Sequence, residues 1–216
     1  MDPVEALPAP GGGLTRAQGA VGSAVAVVAA VVAFWALVLV AGSVNPGYAP
    51  SRDYISALAS RGADSAWLGV AALVVLPLAH LGAAAIVRRW ARAVAAGLAV
   101  SVLAGLVVAA MRISCPAGAA GCSLAGQVRH TDWLDVMHGR AVAVYAVAMV
   151  AAMVAMAVSS WSRAPALAVA SAVLAPVSGL LVLASAGGTH PGTPQRLWLL
   201  VNTGWLVAVA VRRGGP

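Results

Sequence analysis

The chain has 216 residues, of which 62% are hydrophobic and only 9% charged, where a soluble domain carries roughly a quarter charged residues. With a mean hydropathy of +0.93, this excludes a soluble globular fold and marks an integral membrane protein. The net charge of +7 arises from 13 basic and 6 acidic residues; every basic residue is an arginine, in short clusters flanking apolar runs, a pattern of membrane boundaries that points to no nucleic-acid partner.

Residues 1–19, rich in Pro, Gly and Ala, read as a disordered cytoplasmic tail. The remainder, 20–213, reads as one all-α domain, a polytopic bundle of six transmembrane helices at about 20–44, 66–87, 93–111, 133–157, 165–186 and 195–211. Runs of about 20 apolar residues cross the hydrocarbon of a bilayer at roughly 1.5 Å per residue. Asn45-Pro46-Gly47 stops the first helix. In the connection that follows, Ser51 is expected to cap a short interfacial helix closed by Gly62. Asp53, Ser56 and Ser60 would then share one face, either solvated or the wall of a site, with Ile55 and Leu58 turned to lipid or core. In the second helix, His80 lies one turn after Pro77 and reads as the structural partner of a carbonyl that the proline frees; the functional alternative is the default for an intramembrane histidine.

Cys115 and Cys122 flank a Pro/Gly-rich stretch and read as a local disulfide in an oxidising compartment. The other reading, two free thiols on a cytoplasmic loop, requires the opposite topology. Thr131 or Asp132 can cap the fourth helix, along which Asp135, His138, Val142, Tyr145 and Met149 recur at spacings of three or four and form one stripe. Pro165 suits the first turn of the fifth helix, with a kink expected near Pro176 and Gly179. Six helices place both termini on one side. Termini in the cytoplasm puts seven arginines inside and six outside; the inner ones form bare clusters, the outer ones sit among acids and histidines, and the cysteine pair then faces outward.

The densest polar stretch runs from Arg129 to Arg140, with six ionisable side chains in twelve residues. Charge at the start of an apolar helix costs on the order of a few kcal/mol unless compensated, and three kinds of compensation are open. A divalent metal such as zinc could be held by His138, Asp135 and His190, or by His130, and would activate water for hydrolysis. Without a metal, Asp135, His138, Asp53, Ser56 and Arg112 could carry acid–base or acyl chemistry, with Arg52, Tyr145, Arg140 and Arg196 binding a lipid or isoprenoid-like substrate. Third, the same groups could form a structural ion network in a non-catalytic receptor or carrier. The histidines offer a haem only distant single ligands.

The elements Tyr48-Ala49-Pro50-Ser51-Arg52-Asp53-Tyr54-Ile55-Ser56-Ala57-Leu58, Arg112-Ile113-Ser114-Cys115-Pro116 and Asp135-x-x-His138-Gly139, in that order, resemble the bacterial membrane family catalogued as domain of unknown function 998, frequent in actinobacteria. The resemblance implies a six-helix bundle with these three elements clustered, and no assigned reaction. The placing of Ser56, Asp135, His138 and His190 at helix mouths is also similar in kind to the alkaline ceramidases, which hold zinc on three histidines. Those have seven helices and a late His-x-x-x-His pair, whereas here His190 alone is late. Taken together, the sequence describes a multi-pass plasma-membrane protein with a polar pocket facing away from the cytoplasm.

Overall fold

The computed structural model describes residues 12–116, 132–187 and 190–212. Among these residues six long helices follow one another: α1 Gly12–Val44, α2 Ala66–Val87, α3 Arg92–Ala110, α4 Trp133–Ser160, α5 Pro165–Ser185 and α6 Gly192–Val211. A single 3-10 turn, η1 (Ile55–Ala59), lies between α1 and α2, and no strand occurs among the described residues. Helix α1 starts at Gly12, ahead of the apolar run that begins near residue 20; residues 1–11 of the expected tail lie outside the described residues. The capping box that starts α4 pairs Asp132 with Asp135 reciprocally, and Pro165 sits in the first turn of α5, where its missing N–H leaves no gap.

Helices α1 to α5 each contain a stretch long and apolar enough to cross a membrane. Helix α6 carries Gln195, Arg196, Asn202 and Thr203, which lower its hydropathy, yet Asn202 and Thr203 are buried. Its polar groups meet partners inside the bundle, the Asn202 Nδ2 excepted. Trp35 of α1 donates to Thr203 at 3.2 Å. Trp198 of α6 donates to Ser178 of α5 at 3.0 Å, and Trp205 to Ser171 at 2.9 Å. Each indole N–H buried in this interior thus finds a hydroxyl on the next helix, as a low-dielectric core requires.

Consecutive helices pack side by side, and α6 closes the ring against α1. Helix α2 buries Ala72, Leu76, Ala79, Ala83 and Val87 at spacings of three and four, and α4 buries His138, Ala141, Tyr145, Met149, Ala152 and Met156 in the same way. The small residues let backbones approach closely, which is what holds helices together where lipid is as apolar as leucine. The even-numbered helices meet at the centre: the His80 ring of α2 lies edge-on to Tyr145 of α4 at 5.3 Å, and Tyr145 lies edge-on to Trp198 of α6 at 5.6 Å.

Candidate functional site

One end of the ring, the mouth, is closed by the α1–α2 connection. Asn45 ends α1 by donating to Ala41 O at 2.8 Å and to the Ser65 hydroxyl. The next turn is made by Asp53, whose carboxylate accepts the Ala49 N–H at 2.7 Å while its own N–H donates to Ala49 O at 2.8 Å. No helix therefore begins at Ser51. The helical turn starts after Tyr54, and the expected shared face of Asp53, Ser56 and Ser60 does not form. Ile55 and Leu58 are buried rather than turned to lipid. Behind them α2 carries Gly69, where a Cβ would overlap the Leu58 backbone; only glycine lets η1 seat this deeply.

The charged groups at the mouth are consumed in holding this connection down. Arg112 donates to Ala59 O at 2.7 Å and Ser60 O at 2.8 Å, capping η1. Arg196 donates to Asp53 O and Gly192 O, both at 2.9 Å, and to the Tyr48 hydroxyl. Burial pushes the Tyr48 phenol up to about 12, against the lowering effect of the Arg196 charge. Arg52 is exposed and bonds Gly47 O and Asp53. Arg61 pairs with Asp132, and this bond first, with the Asp135 N–H second, holds the Asp132 carboxyl below its ordinary range. Tyr54 reaches across to Ser185 O at 2.6 Å.

Asp135 is taken up in the same manner. Its two oxygens accept the Ser114 N–H at 2.8 Å and the Ser114 hydroxyl at 2.6 Å. His138, one turn on, places Nδ1 at 2.8 Å from Met111 O. Asp135 and His138 do share a face of α4, as their spacing predicts, but the occupant of that face is the backbone of residues 111–114. His190 is exposed in the α5–α6 connection, and no group of three potential metal ligands converges among the described residues. The donor set Asp135, His138 and His190 therefore does not fit a zinc centre. Nor does His138 enter a Ser-His-Asp relay among the described residues, because the nitrogen that a carboxylate would orient is held by the Met111 carbonyl. His130, Thr131 and Cys122, with the expected Cys115–Cys122 pairing, lie outside the described residues.

Three of the residues singled out from the sequence do come together. Ser56, His138 and Tyr145 line a cavity of ≈ 60 Å³ whose remaining wall is largely apolar, with Phe34, Leu76, Pro77, Val142 and Trp198 among its residues. Gln195 also lines it, with Oε1 accepting the Ile55 N–H at 2.7 Å. Gln195 was legible as a polar residue in the first turn of an apolar helix, but not as part of a site. Behind Tyr145 stands His80, fully buried, with Nδ1 at 2.9 Å from Leu76 O and Nε2 at 2.8 Å from the Tyr145 hydroxyl. The carbonyl that Pro77 frees belongs to Leu73, four residues before it, so His80 serves a different one. Arg140 is exposed on the outer side of α4 and does not line the cavity.

Cavity and charged rim are thus distinct: the rim is bonded internally, and the cavity offers neutral hydrogen-bonding groups on an apolar wall. No curated protein and no solved structure matches the chain. A family model does, over residues 10–212, and the chain belongs to the family described as Protein of unknown function (DUF998).

Proposed function

We propose that this is a plasma-membrane protein of six spans, one membrane domain with both termini in the cytoplasm, that binds the end of a lipid- or isoprenoid-like molecule in the cavity between η1, α2, α4 and α6. The observation that carries the reading is the placing of His138, Ser56, Tyr145 and Gln195 on an otherwise apolar wall inside the bundle, the composition typical of a ligand site. A volume of ≈ 60 Å³ admits one end of such a molecule, with the rest lying in the bilayer. The sixth span is α6, whose polar residues face inward. The orientation follows from charge: Arg88, Arg89, Arg92, Arg163 and Arg212 gather at the end opposite the mouth, where Arg212 bonds Arg163 O at 2.8 Å and covers the Trp90 ring. All four described acids, Asp53, Asp64, Asp132 and Asp135, are at the mouth. Unbalanced arginine favours the cytoplasmic face.

The test is photolabelling of the protein in nanodiscs with a long-chain alcohol bearing a diazirine near its hydroxyl end. Label is expected on peptides containing Ser56, Val142 and Trp198, and should fall at least fivefold in Val142→Phe and in Ser56→Val, which narrow or dry the cavity. Label spread over the lipid-facing residues, and unchanged in both variants, sinks the proposal.

A further inference from the structure

Three of the cavity's hydrogen-bonding groups, on His138, Gln195 and Tyr145, are fixed in sense by a partner behind them, and this determines what they can recognise. Met111 O can only accept, so the His138 Nδ1 at 2.8 Å carries the proton, with the Val108 carbonyl as a second acceptor beside the ring, and Nε2 of the neutral ring is left as a lone pair. The Ile55 N–H can only donate, so the Gln195 atom at 2.7 Å is the oxygen, and the amide NH2 is left over as a donor. Leu76 O fixes the proton of His80 on Nδ1; its Nε2 must then accept from the Tyr145 hydroxyl at 2.8 Å. The phenol proton is thereby committed, and the Tyr145 oxygen can only accept. Among the described residues no protein hydrogen bond takes up the Ser56 hydroxyl, which can act in either sense.

We infer that this site, if it is the binding site argued above, selects a neutral group that donates and accepts at once, so that its ligand is an apolar chain ending in a hydroxyl. Such a group gives its proton to His138 Nε2 and receives a hydrogen bond from the Gln195 amide or the Ser56 hydroxyl. Tyr145 lies two turns further along α4, about 10 Å at roughly 1.5 Å per residue, and does not share the same hydroxyl with His138; it supplies a second acceptor deeper down. An ether or ketone of equal length can only accept and leaves the buried nitrogen unpaired, which costs more than the lost bond alone. A carboxylate or phosphate brings negative charge against lone pairs in a site with no free cation among its lining residues.

The experiment is competition against the photolabel by a matched series: a long-chain primary alcohol, its methyl ether, the corresponding methyl ketone and the fatty carboxylate at pH 7.5. The alcohol is expected to displace label at a concentration at least about tenfold below that of the ether or ketone, a ratio equivalent to about 1.4 kcal/mol, with the carboxylate weakest. In His138→Asn, whose amide can keep the bond to Met111 O while Nε2 is lost, the preference should shrink to under about threefold at an unchanged melting temperature. Equal displacement by alcohol and ether overturns the inference and leaves the cavity as a binding site. Preference retained in His138→Asn overturns the assignment of His138. Absence of any cavity label overturns the binding reading itself and this inference with it.

Discussion

Replacing Asp135 by alanine separates a scaffold from a reacting group. The carboxylate accepts the Ser114 N–H and hydroxyl at 2.8 and 2.6 Å and closes the capping box with Asp132. Two hydrogen bonds to an ionised acceptor are worth about 1.5 kcal/mol each at the low end of their range, and less where the carboxylate is only half-buried, as here, and loss of a cap costs about 1 kcal/mol. Removal should therefore destabilise the protein by about 2–4 kcal/mol, with the Ser114 N–H left unpaired. The Asn variant keeps an acceptor for that N–H and should lose roughly half as much. Thermal melts of purified protein in a mild detergent would read both changes, beside photolabelling of whatever fraction stays folded. The expected pattern is a graded drop in melting temperature, Ala more than Asn, with undiminished labelling per folded molecule. An unchanged melting temperature in Asp135→Ala together with lost labelling would refute the reasoning and return Asp135 to the site.

Two further consequences concern the closure of the mouth. The Asp132 carboxyl is held below its unfolded value by Arg61, so its contribution is present above the unfolded pKa and disappears as pH falls through the lower folded one; Asp132→Asn should flatten stability against pH in that acid window and nowhere else, which pH-resolved melts would show. Gly69→Ala sets a methyl against the Leu58 backbone and should cost about 1–3 kcal/mol, the range for overpacked cores, while weakening the photolabel because Ile55 and Ser56 shift with η1. An alanine variant as stable and as well labelled as the parent would contradict the close seating of η1.

The helices were legible in the sequence because hydropathy is read along one dimension, and apolar runs broken by Asn45-Pro46-Gly47 or Arg88-Arg89 leave little choice. Helix α6 shows the limit of that reading. Asn202 and Thr203 lower its hydropathy, yet both are buried and paired across helices: Thr203 accepts from Trp35 and Asn202 Oδ1 from Ser178 at 3.0 Å. The stripe on α4 was also legible, since helical period alone sets which residues share a face. What was not legible was the division of that stripe into scaffold and cavity. Asp135 and His138 differ by one turn, yet one is bonded twice by Ser114 and the other lines the cavity, and this depends on where residues 111–114 pass in space. The Asp53 turn defeated the expected helix from Ser51 for a related reason: a carboxylate that bonds a backbone N–H four residues back offers the chain an alternative to helix.

That division has a physical logic. In a low-dielectric bundle an unsatisfied charge is costly, and the less exposed charged groups of the mouth, Asp53, Arg61, Arg112, Asp132, Asp135 and Arg196, are each bonded to backbone, hydroxyl or counter-ion. Groups so committed are tied to the scaffold and fixed in place by it. A neutral histidine or glutamine can be pinned through one atom and remain available through the other, at little cost when the free atom meets water or a ligand. The same backbone bond that seats the residue also fixes whether the free atom donates or accepts. His138 and Gln195, which both line the cavity, are tied in this way to opposite kinds of backbone group, a carbonyl and an N–H; on the inference above they meet a ligand as acceptor and donor respectively. On the proposed reading, recognition at this mouth rests on the side chains with the least charge, while Asp132 and Asp135 of the ionic segment fasten α4 to Arg61 and Ser114.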